Sequence, residues 1–262
     1  VEARALMTPW IDHAGQAWPA MVFVETRHQL VRCPCASLAE ATQLRDRLHL
    51  DRTALEAFAG WSRSSQVQIR TPREGDGVII DGKSDGVPWR LEWGPSQRPY
   101  VLGHELRIRA ELPLAHELQA IVLNRVLQEA IEKAMFEQFV EGVQTRIDTE
   151  TPAEMRWVVM YPKLNRAELG DLQDRYAAAA SLKPWLQHWL AGPLSTSLLG
   201  LKSDPATAFV LMVNRGKVTL RTEVDEASPR SFEPHLRLFE AALREARRAK
   251  TEADADGDSR PA

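Results

Sequence analysis

A chain of 262 residues with 44% hydrophobic and 26% charged residues has a globular composition, with length for one large domain or two small ones. Its 33 lysines and arginines against 36 aspartates and glutamates leave a net charge of -3, which supplies no long-range field toward phosphate backbones or anionic membranes, so nucleic acid is not an expected partner. The only cysteines, Cys33 and Cys35, lie one residue apart and cannot staple distant segments, which excludes a disulfide-framed secreted domain.

The first residues, VEARALMTPWIDHAGQAW, carry no basic segment followed by an apolar one, and apolar runs such as 206–213 stop well short of the roughly 20 residues that cross a bilayer. The expectation is a soluble, cytoplasmic protein with no membrane span.

In chain order, a strand is expected at Met21–Glu25. After it, Ser37 and Glu40 form a capping box that opens a helix with Leu38, Ala41, Leu44 and Leu48 on one side. A second short helix is framed by Thr53 and Glu56 and stopped at Gly60. Strands follow at 66–70, 77–81, 88–94 and 104–112, with a hairpin turn within Asp81–Gly86. The alternation is strongest in the last two. Trp89, Leu91 and Trp93 oppose Arg90 and Glu92, while Leu106, Ile108, Ala110 and Leu112 oppose Glu105, Arg107, Arg109 and Glu111, the pattern of an antiparallel sheet with one apolar and one charged face.

From Leu114 to Gln144 the spacing turns helical, with Leu123, Leu127, Ile131, Met135, Phe139 and Val143 on one stripe, and residues 148–154 read as a linker. Beyond it the sequence predicts a strand at Arg156–Tyr161, a helix at Arg166–Ala180 and a short helix carrying Leu182, Trp185, Leu186 and Trp189, stopped at Gly192-Pro193. Two strands at Thr207–Val213 and Lys217–Val224 flank Asn214-Arg215-Gly216, and a closing helix holds Phe232, Leu236, Phe239 and Leu243. The expected fold is α+β, with antiparallel strands covered by helices on one face. Residues 1–113 and 151–250 would form two similarly built strand-helix-helix-strands-helix halves, with 114–150 between them. That shared order predicts an internal duplication, although no sequence identity joins the halves. Residues 251–262 are acidic and lack apolar anchors, as expected of a disordered tail.

Chemical motifs are sparse. Cys33-Pro34-Cys35 could hold a soft metal or exchange disulfides, but zinc needs four ligands and only His28 lies nearby, so a coincidental pair is the better reading. His104-Glu105 and His116-Glu117 start like a zinc-protease motif without its second histidine, and read as a strand-edge and a helix-start histidine. Glu168, Asp171 and Asp174 sit at helical neighbour positions, yet Arg166 and Arg175 make an ordinary ion-paired face the simpler account. Asp254, Asp256 and Asp258 imitate a calcium loop without its glycine and closing glutamate. Nucleophile elbows, phosphate-cradling glycine loops and dinucleotide fingerprints are all missing. No metal or other cofactor is expected.

The segment between the two strongest strands is the best candidate site: Gln97, Arg98 and Tyr100 place an amide, a planar cation and a phenol beside Trp93, with His104 just beyond. Its plain alternative is a wide hairpin loop whose arginine pairs with a nearby acid or stacks on a tryptophan. The eight tryptophans fall mostly at core spacings. Three functions follow. The first is a non-catalytic interaction or accessory protein acting through a protein-protein surface, with a protein partner or a second copy of the chain. The second is a binder of a small apolar or acidic ligand in a pocket between sheet and helix, with Arg98 and His104 as polar anchors. The third is an enzyme pairing His104 with Glu105 or Glu92 for proton transfer.

Overall fold

The computed structural model describes residues 2–6, 10–11, 17–18, 20–25, 30–35, 37, 58, 61, 67–70, 77–140 and 152–258. The chain divides into two compact units, Val1–Ser65 and Gln66–Ala262. In the first, β1 (Glu2–Leu6), β4 (Ala20–Glu25) and β5 (Leu30–Cys35) form an antiparallel sheet in the order β1-β4-β5, and β2 (Trp10–Ile11) pairs with β3 (Ala17–Trp18). The expected strand at 21–25 is β4, and Cys33 and Cys35 lie on β5. The helix expected from Ser37, most of the one framed by Thr53, and His28 lie outside the described residues.

The second unit is built on one eight-stranded antiparallel sheet ordered β11-β10-β12-β13-β9-β8-β7-β6. Its strands are β6 (Gln68–Arg70), β7 (Val78–Ser84), β8 (Val87–Pro95), β9 (His104–Glu111), β10 (Gln119–Asn124), β11 (Tyr176–Ala180), β12 (Phe209–Asn214) and β13 (Lys217–Glu223). Six helices accompany it among the described residues: α1 (Arg125–Val140), α2 (Ala153–Met160), α3 (Arg166–Leu169), α4 (Lys183–Leu190), α5 (Pro193–Gly200) and α6 (Pro229–Asp258). The fold is therefore α+β. Strands from both expected halves join one sheet, β9-β8-β7-β6 of the first lying beside β12-β13 of the second and β10 of the intervening segment pairing between β11 and β12, and no internal duplication is shown.

Two hairpins fix the register. Ser84 and Val87 flank Asp85-Gly86 at φ 49° and 80°, and Asn214 and Lys217 flank Arg215-Gly216 at φ 51° and 74°, the left-handed pairs that match strand twist in a two-residue turn. Gly82 is required for a different reason. It pairs with Trp89, whose indole lies where a β-carbon would stand.

Three elements differ in type from the sequence expectation through burial, and a fourth differs in length. Gln119–Asn124, expected as the start of a helix, is the strand β10, because Ala120–Leu123 is apolar on both sides and occupies an interior position between β11 and β12. His116-Glu117 consequently sits in a turn ahead of this strand and not at a helix start. Arg156–Tyr161, expected as a strand, lies in α2 and its C-cap. Glu154, Trp157, Val158 and Tyr161 recur at i, i+3, i+4 and i+7, and the first three are buried. The expected helix at 166–180 is broken by Gly170 (φ 54°) into α3 and a 3-10 turn, Gly170–Asp174, after which Tyr176–Ala180 becomes β11. Alanine favours helix in isolation, but here Ala177–Ala180 are all buried and their small side chains let helices pack close on both faces. The final helix continues to Asp258, well into the segment expected to be a tail.

The sheet's two faces are unlike each other. One carries Ala178, Val122, Leu211, Leu220, Ile108, Leu91 and Ile80 in succession across seven strands, all buried. The α4–α6 group packs here, with α6 against β9 and β13, and Trp189 Nε1 donating to the carbonyl of Ala242. On the other face, α1 and α2 cover only β10, β11 and β12. Leu127, Ile131, Trp157 and Val158 close a core with Ile121, Leu123, Ala177, Ala179, Val210 and Met212. Beyond β12 that face turns charged, and no described helix lies over it. No helix among the described residues is long and apolar enough to cross a membrane.

Candidate binding groove on the open sheet face

Alternation along β9 and β13 sends Glu105, Arg107, Arg109 and Glu111, and Lys217, Thr219, Arg221 and Glu223, to the face opposite the buried leucines and isoleucines. Register then places Arg221 directly opposite Arg107, and Arg109 opposite both Thr219 and Arg90. Like charges facing each other across a ladder are unfavourable, so this arrangement stands only because carboxylates are interleaved with it. Glu92 on β8 accepts from Arg107 and, at 3.0 Å, from Arg109. Glu105 accepts from Arg221 and, at 2.8 Å, from the backbone N–H of Gln97. Farther out, Asp81 accepts from Arg70 and, at 2.7 Å, from Arg90. Burial works to raise its carboxyl, but the two guanidinium bonds outweigh that and hold it below the usual carboxylate range.

Between β9, β13 and the end of β12 lies a groove of about 490 Å³. Its charged lining is wholly cationic: Arg107, Arg109, Arg215, Lys217 and Arg221, with Met212 as an apolar element of the floor. Three carboxylates answer the five cations, and one of them, Glu92, is shared by two arginines. Arg215 projects from an exposed turn, with no ion-pair partner among the described residues. Arg221 is the innermost cation, only 7% exposed. Glu105 meets its NH1, while its Nε has no acceptor among the described residues. A second recess of about 480 Å³ around Arg90 and Asp81 shares Arg109 and Lys217 with the first.

The five residues expected to form a site are distributed over three places. Trp93 and His104 belong to the apolar-face register, where their rings stack 4.4 Å apart at 9° and Trp93 Nε1 donates to the carbonyl of Val224 at 2.7 Å. Gln97 turns to the open face and accepts from Arg107. Arg98 and Tyr100 reach α2 instead, donating to the same oxygen of Glu154 at 2.5 and 2.9 Å. Glu154 is buried in the first turn of its helix, where a negative charge is favoured. Burial pushes the Glu154 carboxyl up, but the Arg98 bond, a backbone N–H and Tyr100 outweigh it and leave it below its ordinary value. Burial first, then the adjacent Glu154 charge, push the Tyr100 phenol well above its ordinary range.

Glu92 and Glu105, the carboxylates considered as partners for His104, are engaged by arginines on the opposite face. The space between the sheet and α1, the expected ligand pocket, is filled by the core around Ile121 and Leu123, leaving a cavity of about 50 Å³ beside Gln128. Two of the three carboxylates at 168–174 have partners. Glu168 closes a capping box with Asn165 and pairs with Lys183 at 2.8 Å, and Asp174 faces Arg166 at 3.8 Å. No group of His, Cys, Asp or Glu among the described residues could hold a metal ion.

Arg107, Arg109 and Arg221 carry the groove, and none was assigned to a site from sequence. Their alternation was visible. The β13–β9 pairing that sets two arginines opposite each other joins strands about a hundred residues apart, and no local pattern announces it. Comparison of the chain with protein-family models, curated proteins and solved structures finds no match.

Proposed function

We propose that this chain is a non-catalytic binding protein that takes an anionic ligand on the open, arginine-lined face of its sheet. One observation carries the reading: a groove of about 490 Å³ whose charged lining is five cations and no carboxylate, on a face that no described helix covers. Planar guanidinium groups recognise carboxylates and phosphates through paired hydrogen bonds. The nearby carboxylates are already bonded to arginines, which suits them to holding those arginines in place and not to moving protons. The acidic-ligand reading thus shifts from the sheet-helix space to the open face, with Gln97 as its link to the loop expected from sequence.

Calorimetric titration of the full chain with citrate and with pyrophosphate tests it. The expected result is binding that weakens as salt rises and is lost in Arg107→Ala/Arg109→Ala. Absence of binding by either anion at low salt overturns the reading.

A second reading, an accessory protein acting through a protein-protein surface, rests on Phe136 of α1 and Met160 of α2, 67% and 71% exposed despite their size. Its test is sedimentation of the chain and of Phe136→Ser/Met160→Ser. Self-association in the first that is absent from the second supports a homodimer, and an unchanged monomer counts against it.

A further inference from the structure

Resting on the anion-binding reading, we infer that the groove is built for an elongated small molecule with two anionic ends, carboxylate or phosphate, held about 7 Å apart by an apolar or neutral spacer. The ladder gives the spacing. Arg107 and Arg221 form one cross-strand pair, and Arg109 lies two residues farther along β9, opposite Thr219. Residues two apart on one face of a strand are separated by about 7 Å. The groove thus offers two cationic stations of different character.

The inner station is Arg221 with Arg107. Arg221 is more than nine-tenths buried, Glu105 engages only its NH1, and its Nε lacks an acceptor among the described residues. A buried donor without an acceptor is costly, and so are two guanidinium groups facing each other across a ladder. An oxyanion seated between them relieves both penalties. The outer station is Arg109 with Lys217 and Arg215 toward the mouth. Arg109 is 39% exposed and shares its one carboxylate, Glu92, with Arg107, while Lys217 meets Glu111 only at 3.3 Å on an exposed edge. Along β13, Thr219 lies between Arg221 of the inner station and Lys217 of the outer one, level with Arg109 and paired in register with Met212, both mostly buried and uncharged. They give the spacer a neutral floor on the β13 side of the groove.

The test is calorimetric titration of the full chain with linear α,ω-dicarboxylates from malonate to suberate and the matching alkane bisphosphonates, with hexanoate and inorganic phosphate as single-ended probes. Affinity is expected to peak at adipate or pimelate, about tenfold or more above succinate and hexanoate. Arg109→Ala should abolish the length preference while leaving single-ended binding, and Arg221→Lys should weaken both series. Arg237→Ala, on the exposed side of α6, should leave both unchanged. Preference for one series over the other identifies the ionic group. Equal affinity across all lengths, or a length optimum that survives Arg109→Ala, overturns the two-station inference while leaving an anion site standing. Failure of every probe to bind removes both. Thermal melting of each variant separates lost binding from lost folding, and Arg109→Ala, at a half-exposed position, keeps the inference testable should Arg221→Lys not fold.

Discussion

On one face of the eight-stranded sheet, Ile121 and Leu123 of β10 continue through Met212 and Val210 of β12, and the next strand, β13, presents Thr219 and Arg221 at the same levels. Up to β12 the face is apolar and roofed by α1 and α2, and from β13 outward it is charged and carries no helix among the described residues. Backbone hydrogen bonding is the same on both sides of this boundary. What differs is what each side chain loses when water is removed. Ile121 and Val210 gain from a helical roof, whereas Arg107 and Arg221 are already largely buried against Glu92 and Glu105, and a roof over Arg109 would desolvate a guanidinium that shares its one carboxylate. The roof therefore stops where the charges begin, and the groove lies along that boundary.

Substitutions on the two sides should differ in kind. The largest expected effect is Leu123→Ala under the roof. Leu123 is 1% exposed, and its loss should cost about 2–5 kcal/mol through lost burial and a residual cavity. Chemical denaturation should show the midpoint fall without a change of slope. A loss well under 1 kcal/mol would mean that α1 and α2 are loosely seated.

Next comes the clasp between the two regions, where Arg98 and Tyr100 of the β8–β9 loop hold Glu154 at the start of α2. Glu154→Gln should cost about 2–3 kcal/mol, toward the lower end for a broken buried pair because Arg98 is a quarter exposed. The folded-state value of Glu154 is depressed, so its stabilisation is complete above the ordinary glutamate range near about 4.3 and is lost as pH falls through the lower folded value. Acid denaturation of Glu154→Gln should therefore be shallower than that of the parent over that window, and parallel acid limbs would remove the clasp from the account. On the open side, Arg109→Ala should change stability by no more than about 0.5 kcal/mol, since Arg109 is 39% exposed and shares its one carboxylate. A large loss there would mean that the charged face is structural.

How much of this was legible in the sequence depends on how far the cause of each feature lies along the chain. Strands β7, β8, β9, β12 and β13 and the hairpins at Asp85-Gly86 and Arg215-Gly216 are written in local alternation and turn chemistry, and they were read within a residue or three. Helices α4 and α6 were readable from their apolar stripes. By contrast, β10 and β11 are strands because other elements bury both of their faces, a condition that residues 119–124 and 176–180 cannot express alone. Of the site, the charged alternation was visible and its consequence was not. Glu154 lay in an expected linker, and the opposition of Arg221 and Arg107 exists only once β13 pairs with β9.

The smallest expected effect concerns a carboxylate for which burial and partners reach the opposite balance from Glu154. Glu240 of α6 lies near Ser84 and Asp85 at the β7–β8 turn. Burial there raises its carboxyl and the Asp85 charge adds to the rise, while Arg244, Ser84 and Arg237 oppose without prevailing. A carboxyl raised in the folded state costs nothing at low pH, where it is protonated folded or unfolded. Its cost grows as pH climbs through the unfolded value and is complete above the folded one. Glu240→Gln removes the charge and keeps the helix propensity close to unchanged, so it should raise the melting temperature at neutral pH by roughly a degree and leave it unaltered near pH 3. A gain of the same size at both pH values would mean that packing, and not charge, sets the balance. The weaker opposition from Arg244, Ser84 and Arg237, set against the direct Arg98 bond at Glu154, would then not be what separates the two carboxylates.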